Sequence, residues 1–486
     1  MIALPETRSS AVEVLAAMRA AREDDARWRE GKTWSLVFHA GHEVAELLEE
    51  AYALFLSENA LNPMAFPSLK KFEAEVVAMT AALLGGDGTT VGNMTSGGTE
   101  SILMAVKTAR DWARAVRPEV KQPEMILPAT AHPAFEKAAH YLGVRSVRTA
   151  VGPDFRADVA AVRAALTADT ILVVGSAPSY PQGVVDPIAE LAKLAEQQGL
   201  LCHVDACVGG FMLPFVRQLG YPVPLFDLGV SGVTSLSADL HKYGYAAKGA
   251  SVILYRDSEL RRHQFFVHTD WAGGIYASPT MTGTRPGGAI AAAWAVMNYL
   301  GQEGYREIAA TVMDTCRRLK EGIEQIEGIH VLGDPPMSLL ALASDELNVF
   351  EIGDVLTQRG WHLDRQQGPE SLHLTVTYAH APVADQFLRD LAEAVKEVRQ
   401  FSLPKLANAV QVGVVQTAVR WLPDWLVSRL TRQASGLMGL GQGRLPQRSA
   451  AMYGMMASLP NQGDLDDIVL DLLDQLTKVE ATERRR

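Results

Sequence analysis

The amino-acid sequence predicts an α/β protein in which a mostly parallel sheet lies between helices, followed by a smaller α+β domain. With 486 residues, the chain is too long for one simple core. Between residues 72 and 300, helical patterns alternate with short apolar runs, as in parallel strands joined by crossover helices. Beyond residue 300, three strand patterns lie among further helices. These three observations indicate a large sheet domain and a separate smaller one.

The elements are predicted in order along the chain. An N-terminal arm, residues 1–71, has helical patterns at 10–30 and 43–56 and a proline-containing irregular stretch at 58–68. The large domain, residues 72–300, follows. Its predicted helices cover residues 72–84, 99–116, 133–142, 157–167, 187–198 and 287–300. Its predicted strands cover residues 125–128, 145–150, 171–175, 201–205, 232–236 and 250–255.

The C-terminal domain is predicted over residues 301–486. Its helices are expected near residues 305–327, 347–359 and 382–398. Its strands are expected near residues 329–333, 338–342 and 371–377. A tryptophan-bearing helix at 409–431 and an acidic, apolar helix at 464–478 complete the chain.

Composition and charge exclude several classes of function. Hydrophobic residues make up 48% of the chain and charged residues 21%, so a packed core is expected rather than disorder. The net charge of −11 disfavours binding to nucleic acid or to anionic membrane surfaces. An anionic ligand must therefore be held by a local site.

The cellular compartment is predicted from the cysteines and the N-terminus. The three cysteines, Cys202, Cys207 and Cys316, are odd in number and lack metal-ligand spacing, which is typical of free thiols in a reducing compartment. The N-terminus has no signal-peptide pattern, and no apolar run approaches the roughly 18 residues that span a bilayer. We expect a cytoplasmic protein without a metal site.

A glycine turn precedes the helix pattern at 99–116. It reads M-T-S-G-G-T-E-S, residues 94–101. Backbone N–H groups at the start of such a helix can bind a phosphate group. The alternative is that Ser96 or Thr99 only caps the helix.

A lysine and an aspartate follow two of the predicted strands. Lys242 lies in S-A-D-L-H-K-Y-G-Y-A-A-K-G, residues 237–249, and Asp205 ends the apolar run in H-V-D-A-C. A loop lysine is usually solvated. Together with the glycine turn, however, these residues are the parts that hold pyridoxal 5′-phosphate, because its aldehyde bonds to a lysine and its ring nitrogen pairs with a carboxylate. The sequence therefore predicts a pyridoxal-phosphate enzyme.

Two further polar residues precede helix patterns. His132, in A-H-P-A-F-E-K-A, is placed either to stack on a flat cofactor ring or to cap its own helix. Asp186, in G-V-V-D-P-I, precedes a proline at a helix start, so we expect it to be an N-cap.

Five longer motifs carry a family resemblance. They are T-S-G-G-T-E-S-I-L-M-A, H-V-D-A-C-V-G-G-F, S-A-D-L-H-K-Y-G-Y-A-A-K-G, T-D-W-A-G-G-I-Y-A-S-P-T and G-T-R-P-G-G. In combination they resemble the sphingosine-1-phosphate lyases, within the group II pyridoxal-phosphate decarboxylases. The likeness extends from about residue 32 to about residue 460.

The resemblance implies fold-type I architecture, with a seven-stranded cofactor domain and a homodimer whose active sites lie at the interface. It also implies roles for individual residues. Lys242 would bond to the cofactor aldehyde, Asp205 would pair with the ring nitrogen and His132 would stack on the ring. The positions implied at the cofactor phosphate are Gly97, Gly98 and Thr99, with Ser237 and His241 beside them, and Gly283 and Thr284 from the partner subunit.

The implied reaction is retro-aldol cleavage of a phosphorylated long-chain base to a fatty aldehyde and ethanolamine phosphate. This cleavage needs a base for the substrate hydroxyl and an acid for the carbon that bears the amine. Tyr180, in P-S-Y-P-Q-G, and Lys248 match family positions that face the substrate. They are the candidates for these proton transfers.

Two positions depart from the family pattern. Asn62 occupies the place of a histidine, and Phe38 that of a tyrosine, both of which help to hold the substrate phosphate. Losing one such contact costs about 1.5–3 kcal/mol. His39 is a candidate replacement for the missing histidine.

Two other functions remain open. If a carboxylate occupied the cleavable position on the cofactor, the enzyme would be an amino-acid decarboxylase. The helix predicted at 409–431 carries Trp421, Trp425, Arg420 and Arg429, so it either docks on a membrane or packs on the dimer or over the active-site entrance.

Overall fold

The computed structural model describes residues 3–402, together with residues 466, 469, 470, 473 and 474. Its helices are α1 Ala11–Ala21, α2 His42–Leu54, α3 Pro67–Leu83, α4 Gly98–Val116, α5 Ala134–Leu142, α6 Val159–Ala165, α7 Ile188–Gln197, α8 Leu213–Gln218, α9 Ser258–Arg261, α10 Gly287–Glu324, α11 Val349–Gln358 and α12 Ala384–Ser402. Its strands are β1 Val91–Thr95, β2 Glu124–Pro128, β3 Arg145–Thr149, β4 Thr170–Ser176, β5 Leu201–Asp205, β6 Ser235–Ala238, β7 Ser251–Tyr255, β8 Phe266–His268, β9 Tyr276–Ser278, β10 His330–Val331, β11 Leu339–Ala343, β12 Asp364–Gln366 and β13 Ser371–Thr375.

The main sheet has seven strands in the order β1-β7-β6-β5-β4-β2-β3. Only β7 is antiparallel to its neighbours, so the predicted seven-stranded, mostly parallel sheet is confirmed. The apolar pattern missed β1, whose sequence V-G-N-M-T contains glycine and asparagine, both poor strand formers. The strand expected at 232–236 lies slightly later in the chain, as β6.

The central strands bury side chains on both faces because helices cover both sides of the sheet. Successive residues of a strand point to opposite faces. Ile126 and Val173 accordingly pack in one apolar cluster, whereas their neighbours Met125 and Leu172 pack in the other. The sheet thus separates two apolar cores.

The long helix α10 joins the large and small domains. It is interrupted at Gly301, whose φ of 53° is readily adopted only by glycine, so the two helices predicted at 287–300 and 305–327 are both present. A four-stranded antiparallel sheet follows, in the order β10-β11-β13-β12. The expected α+β character is confirmed for the described part of the small domain.

The N-terminal arm reaches the small domain through Trp34. Its backbone N–H donates to the His362 carbonyl, and its carbonyl accepts from the N–H of Thr375. This pairing brings the residues after Trp34 to the edge of the main sheet. The single helix predicted at 10–30 is shorter, because α1 ends at Ala21 and two 3₁₀ turns follow.

Several predictions concern the C-terminal part of the chain. The helix at 409–431 and most of the helix at 464–478 lie outside the described residues. Within the part that the structure describes, no helix has the length and apolar character needed to cross a bilayer.

Candidate active site

A cavity of about 480 Å³ lies where β4, β5 and β6 end and α4 begins. Ligands bind at this edge of parallel α/β sheets. Most of the predicted site residues line the cavity, namely Gly97, Gly98, Thr99, His132, Tyr180, Asp205, His241, Lys242 and Lys248. The fold therefore brings into one site residues that are far apart in the sequence.

The glycine turn forms the N-terminus of the 19-residue helix α4. Gly97 is its N-cap, and no side chain caps the helix, so the interpretation of Ser96 or Thr99 as a cap is wrong. A Cβ atom on Gly98 would lie 2.8 Å from Asp239 Oδ2 and from Cys207 Sγ. Because the first N–H groups of a helix have no partner within it, this tight turn offers donors to an anion in the cavity.

Asp205 ends β5 and is almost fully buried. Its Oδ1 atom accepts a hydrogen bond of 3.0 Å from the N–H of Cys207. The Ser237 hydroxyl lies 3.5 Å from the same oxygen and 3.3 Å from His203 Nε2. Ser237 does not line the cavity, whereas Asp205 does. The Ser237 hydroxyl therefore helps to orient the Asp205 carboxylate.

Lys242 forms an ion pair with Asp239, a residue that the sequence reasoning missed. The Lys242 Nζ atom lies 2.9 Å from Asp239 Oδ2. Burial alone would lower the pKa of Lys242, but the Asp239 carboxylate outweighs it and raises the pKa above its usual range. The amine is therefore held as an ammonium group at the floor of the cavity.

His132 hydrogen-bonds to the start of its helix and also lines the cavity, where its stacking on a cofactor ring stays a prediction. Its Nδ1 atom accepts a hydrogen bond of 3.1 Å from the N–H of Ala134, at the start of α5, and its ring lines the cavity. Burial lowers its pKa, against the opposing charge of Asp205. The ring is therefore neutral at neutral pH, with its proton on Nε2.

Lys248 also lines the cavity and is an exposed residue. Its Nζ atom donates to the His241 carbonyl at 3.2 Å and lies 5.3 Å from the centre of the Phe38 ring. The protein around the ammonium group and the nearby Lys242 charge lower its pKa to about 8. Lys248 can thus exchange a proton near neutral pH.

The Tyr180 side chain is held by a hydrogen bond and by ring stacking. Its hydroxyl donates to Asp364 Oδ2 at 3.0 Å, and its ring stacks on His373 with 4.2 Å between ring centres. Burial and the Asp364 charge raise the pKa of the phenol well above its usual range. Tyr180 is accordingly a neutral phenol at any physiological pH.

The positions expected to bind phosphate from a partner subunit lie outside the cavity of their own chain. Thr284 accepts a hydrogen bond of 3.3 Å from Asn59, and Gly283 is its neighbour.

Asn62, at the position expected near the substrate phosphate, accepts hydrogen bonds from the backbone N–H groups of Met64 and Ala65 in an exposed turn. None of these residues lines the cavity.

His39 is also absent from the cavity wall, whereas Phe38 belongs to it. The His39 ring packs edge-on against Trp28, with 5.5 Å between ring centres. The Phe38 ring packs edge-on against Tyr243, at 4.9 Å. Within one chain, His39 therefore packs on Trp28 and does not line the cavity.

Asp186 is not an N-cap, contrary to the prediction. Its two oxygens accept hydrogen bonds of 2.8 Å from the N–H groups of Ala157 and Ser176, and no side chain caps α7. Burial raises its pKa to about 6. The carboxylate ties the end of β4 to the chain before α6, so its role is structural.

The residues present fit pyridoxal 5′-phosphate. The N-terminus of α4 suits the phosphate group, and the turn has no room for a side chain at Gly98. Asp205 presents a buried carboxylate and Lys242 an amine in the same cavity. These are the three contacts that this cofactor requires of a protein.

Comparison with known proteins places the chain among enzymes of this kind. The family model of the pyridoxal-dependent decarboxylase conserved domain matches residues 26–343. The sphingosine-1-phosphate lyase of Arabidopsis thaliana is 48% identical over 396 residues, which are 80% of this chain and 72% of that protein. The solved structure of the sphingosine-1-phosphate lyase of Burkholderia pseudomallei K96243 superposes with a TM-score of 0.80 at 41% identity, covering 85% of this chain and 96% of that one.

A glutamate decarboxylase of Lactobacillus brevis CGMCC 1306 has a similar structure, with a TM-score of 0.72 over 82% of this chain and 95% of that one. Its sequence identity is only 20%. The likeness to that enzyme shows a shared fold and nothing more.

Proposed function

This chain belongs to the sphingosine-1-phosphate lyases of the pyridoxal-dependent decarboxylase family, and we propose that it cleaves a phosphorylated long-chain base to a fatty aldehyde and ethanolamine phosphate. The enzyme is a pyridoxal-phosphate-dependent lyase. The observation that carries the proposal is the meeting of Lys242, Asp205 and the α4 N-terminus around one cavity, in a chain 48% identical to a lyase.

Each contact with the cofactor is assigned to a residue of the cavity. Pyridoxal phosphate, when bound, supplies a conjugated ring that withdraws electrons from the carbon bearing the substrate amine. Lys242 would hold it covalently through its amine, and Asp205 would keep its ring nitrogen protonated. The neutral His132 ring would pack on its face, and the N–H groups at Gly98 and Thr99 would bind its phosphate.

We assign the proton transfers of the cleavage to Tyr180 and Lys248. The substrate hydroxyl must lose a proton, and the carbon that bears the amine must gain one. With a pKa near 8, Lys248 carries a transferable proton at neutral pH. Tyr180 keeps its own proton, so it accepts a proton only while it gives one away.

The cavity wall suits an apolar chain. Leu36, Val208 and Leu339 line it, and Leu36 is 67% exposed. Leu36 also has a φ of 68°, a strained backbone conformation of the kind retained at binding sites. We assign this side chain to contact with the hydrocarbon part of the substrate.

We further propose a homodimer whose partner completes the phosphate site. The hairpin β8–β9 exposes large apolar side chains, among them Phe266, Trp271 and Ile275, the last at 75% exposure. Soluble monomers rarely expose such patches. Thr284 follows this hairpin and lies outside the cavity of its own chain. We therefore infer that a second copy of the chain covers the hairpin and receives Thr284 in its phosphate site. Light scattering after size-exclusion chromatography should give twice the chain mass, and a monomer would contradict the proposal.

We also propose a cytoplasmic location. The supporting observation is that Cys202, Cys207 and Cys316 are buried and free, as expected in a reducing compartment. Fractionation of producing cells tests this proposal.

Amino-acid decarboxylation is the weaker alternative. Chains 35–48% identical to this one are lyases, whereas the decarboxylase neighbour is 20% identical. Among the described residues, no arginine lines the cavity to bind a substrate carboxylate.

A product assay tests the function directly. The cofactor-loaded protein is incubated with a phosphorylated sphingoid base, with its dephosphorylated analogue and with a panel of amino acids, while aldehyde and CO2 are followed together. Aldehyde from the phosphorylated base supports the lyase. CO2 from an amino acid, without aldehyde from either base, would establish the decarboxylase instead.

A further inference from the structure

A carboxylate lies directly behind the phenol of Tyr180. Asp364 is the first residue of β12, and its Oδ2 atom accepts a hydrogen bond of 3.0 Å from the Tyr180 hydroxyl. Its Oδ1 atom accepts a hydrogen bond of 3.2 Å from the Ser35 hydroxyl. Asp364 itself does not line the cavity, so any effect on the substrate passes through Tyr180.

The phenol is held in one orientation. His373, opposite Asp364 in the small sheet, stacks on the Tyr180 ring, and its Nε2 atom lies 3.0 Å from the Tyr180 carbonyl. Because Tyr180 lines the cavity while its proton points at Asp364, its oxygen can accept a hydrogen bond from a ligand hydroxyl.

This arrangement resolves a difficulty in the cleavage chemistry. A phenol whose pKa is raised cannot act as a phenolate, yet the substrate hydroxyl needs a base. A tyrosine can still accept that proton if it gives its own proton to a second group at the same time.

We propose that Asp364 is a positioning residue of the lyase reaction, which receives the Tyr180 proton as Tyr180 takes the proton of the substrate hydroxyl. The substrate O–H bond breaks, a new O–H bond forms on Tyr180, and the original Tyr180 proton moves to Asp364. The electrons of the cleaved carbon–carbon bond pass to the carbon that bears the amine, which takes a proton from Lys248. The Asp364 proton then returns through Tyr180 and the cavity to Lys248, so no proton is gained or lost overall. The inference rests on the proposed lyase function.

The decisive variants are Asp364→Asn, Asp364→Glu and Tyr180→Phe. Asparagine can still accept the Tyr180 hydrogen bond but is a poor proton acceptor, so we expect kcat to fall about 100-fold with little change in KM. Glutamate should restore part of kcat. Because the two residues act in one step, the double variant Asp364→Asn with Tyr180→Phe should lose no more than the worse single variant.

Asp390→Asn is the matched control. Asp390 lies in the same domain, accepts a hydrogen bond of 2.8 Å from the Trp361 indole N–H, and does not line the cavity. This variant should keep wild-type kcat. The cofactor absorbance band and the unfolding midpoint of Asp364→Asn should match those of the wild type, which excludes a merely structural loss.

Three outcomes would overturn the relay. Asp364→Asn could keep wild-type kcat, or it could lose the cofactor band together with activity. The double variant could also lose the product of the two single effects. Absence of aldehyde from the cofactor-loaded wild type would instead defeat the proposed function, and the relay with it.

Discussion

The Asp239 carboxylate holds the Lys242 ammonium at 2.9 Å, directly below the turn at Gly98. The same carboxylate lies 3.7 Å from His241 Nε2. Within the described part of the chain, its Oδ1 atom has no hydrogen-bond partner. Asp239 therefore sets the charge of the amine that must bond to the cofactor aldehyde.

Replacing Asp239 by asparagine should speed attachment of the cofactor to the cofactor-free protein. Only the neutral amine attacks an aldehyde, and removing the Asp239 carboxylate removes the strongest of the charges that raise the pKa of Lys242, while burial still lowers that pKa. Each unit of pKa change gives about tenfold more neutral amine at neutral pH. Stopped-flow absorbance after mixing with pyridoxal phosphate measures this rate.

The control for that experiment is Asp111→Asn. Asp111 pairs with Lys107 at 3.1 Å on α4, away from the cavity, so the attachment rate should not change. Slower attachment in Asp239→Asn would contradict the assigned role and would indicate that Asp239 is needed to place the amine.

The two lysines of the β6–β7 loop should behave differently in a trapping experiment. Borohydride reduction of the cofactor-loaded protein fixes the cofactor to the lysine that carries it. We expect the added mass in the wild type and in Lys248→Met, but not in Lys242→Met, as measured by intact-protein mass spectrometry. Labelling of Lys242→Met would show that another amine carries the cofactor.

The most informative site residues could be predicted because each follows a buried strand within a recognisable motif. Lys242 and Asp205 are such residues. Asp364 was beyond prediction, since its strand has only three residues and its partner Tyr180 lies 184 positions away in the chain. Asp239 lies in the same motif as Lys242, at residues 237–249. Its spacing of three residues from Lys242 was the signal that could have predicted the ion pair.

Fold prediction met a similar limit. Continuous apolar runs revealed the strands that are buried on both faces, such as β4 and β5. The strand β1 is stabilised by pairing with β7, which comes some 160 residues later and leaves no local pattern.

The pH dependence of kcat should show a descending limb near pH 8, set by Lys248. The protein around the ammonium group and the Lys242 charge lower its pKa to about 8, so the ammonium form that donates a proton is lost as the pH rises through that value. The pKa values of His132 and His241 are also lowered, so both rings are already neutral there. In Lys248→Met, kcat should fall about 100-fold and the limb should vanish. A limb retained in Lys248→Met would assign it to another group.

Substitution of Phe38 by tyrosine should strengthen binding of a phosphorylated substrate. The Phe38 ring lines the cavity and lies 5.3 Å from Lys248 Nζ, so a hydroxyl on it would add a donor beside an existing cation. One added hydrogen bond to a charged group is worth about 1.5–3 kcal/mol, or roughly tenfold or more in KM.

The dephosphorylated base is the matched control, because it offers the same chain and amine without the anion. We expect kcat/KM to rise in Phe38→Tyr for the phosphorylated base alone, as measured by aldehyde release. An equal change for both bases would place the phosphate elsewhere. In that case the exposed turn at Asn62 and the loop at Thr284, both outside the cavity of their own chain, would be the surfaces to vary next.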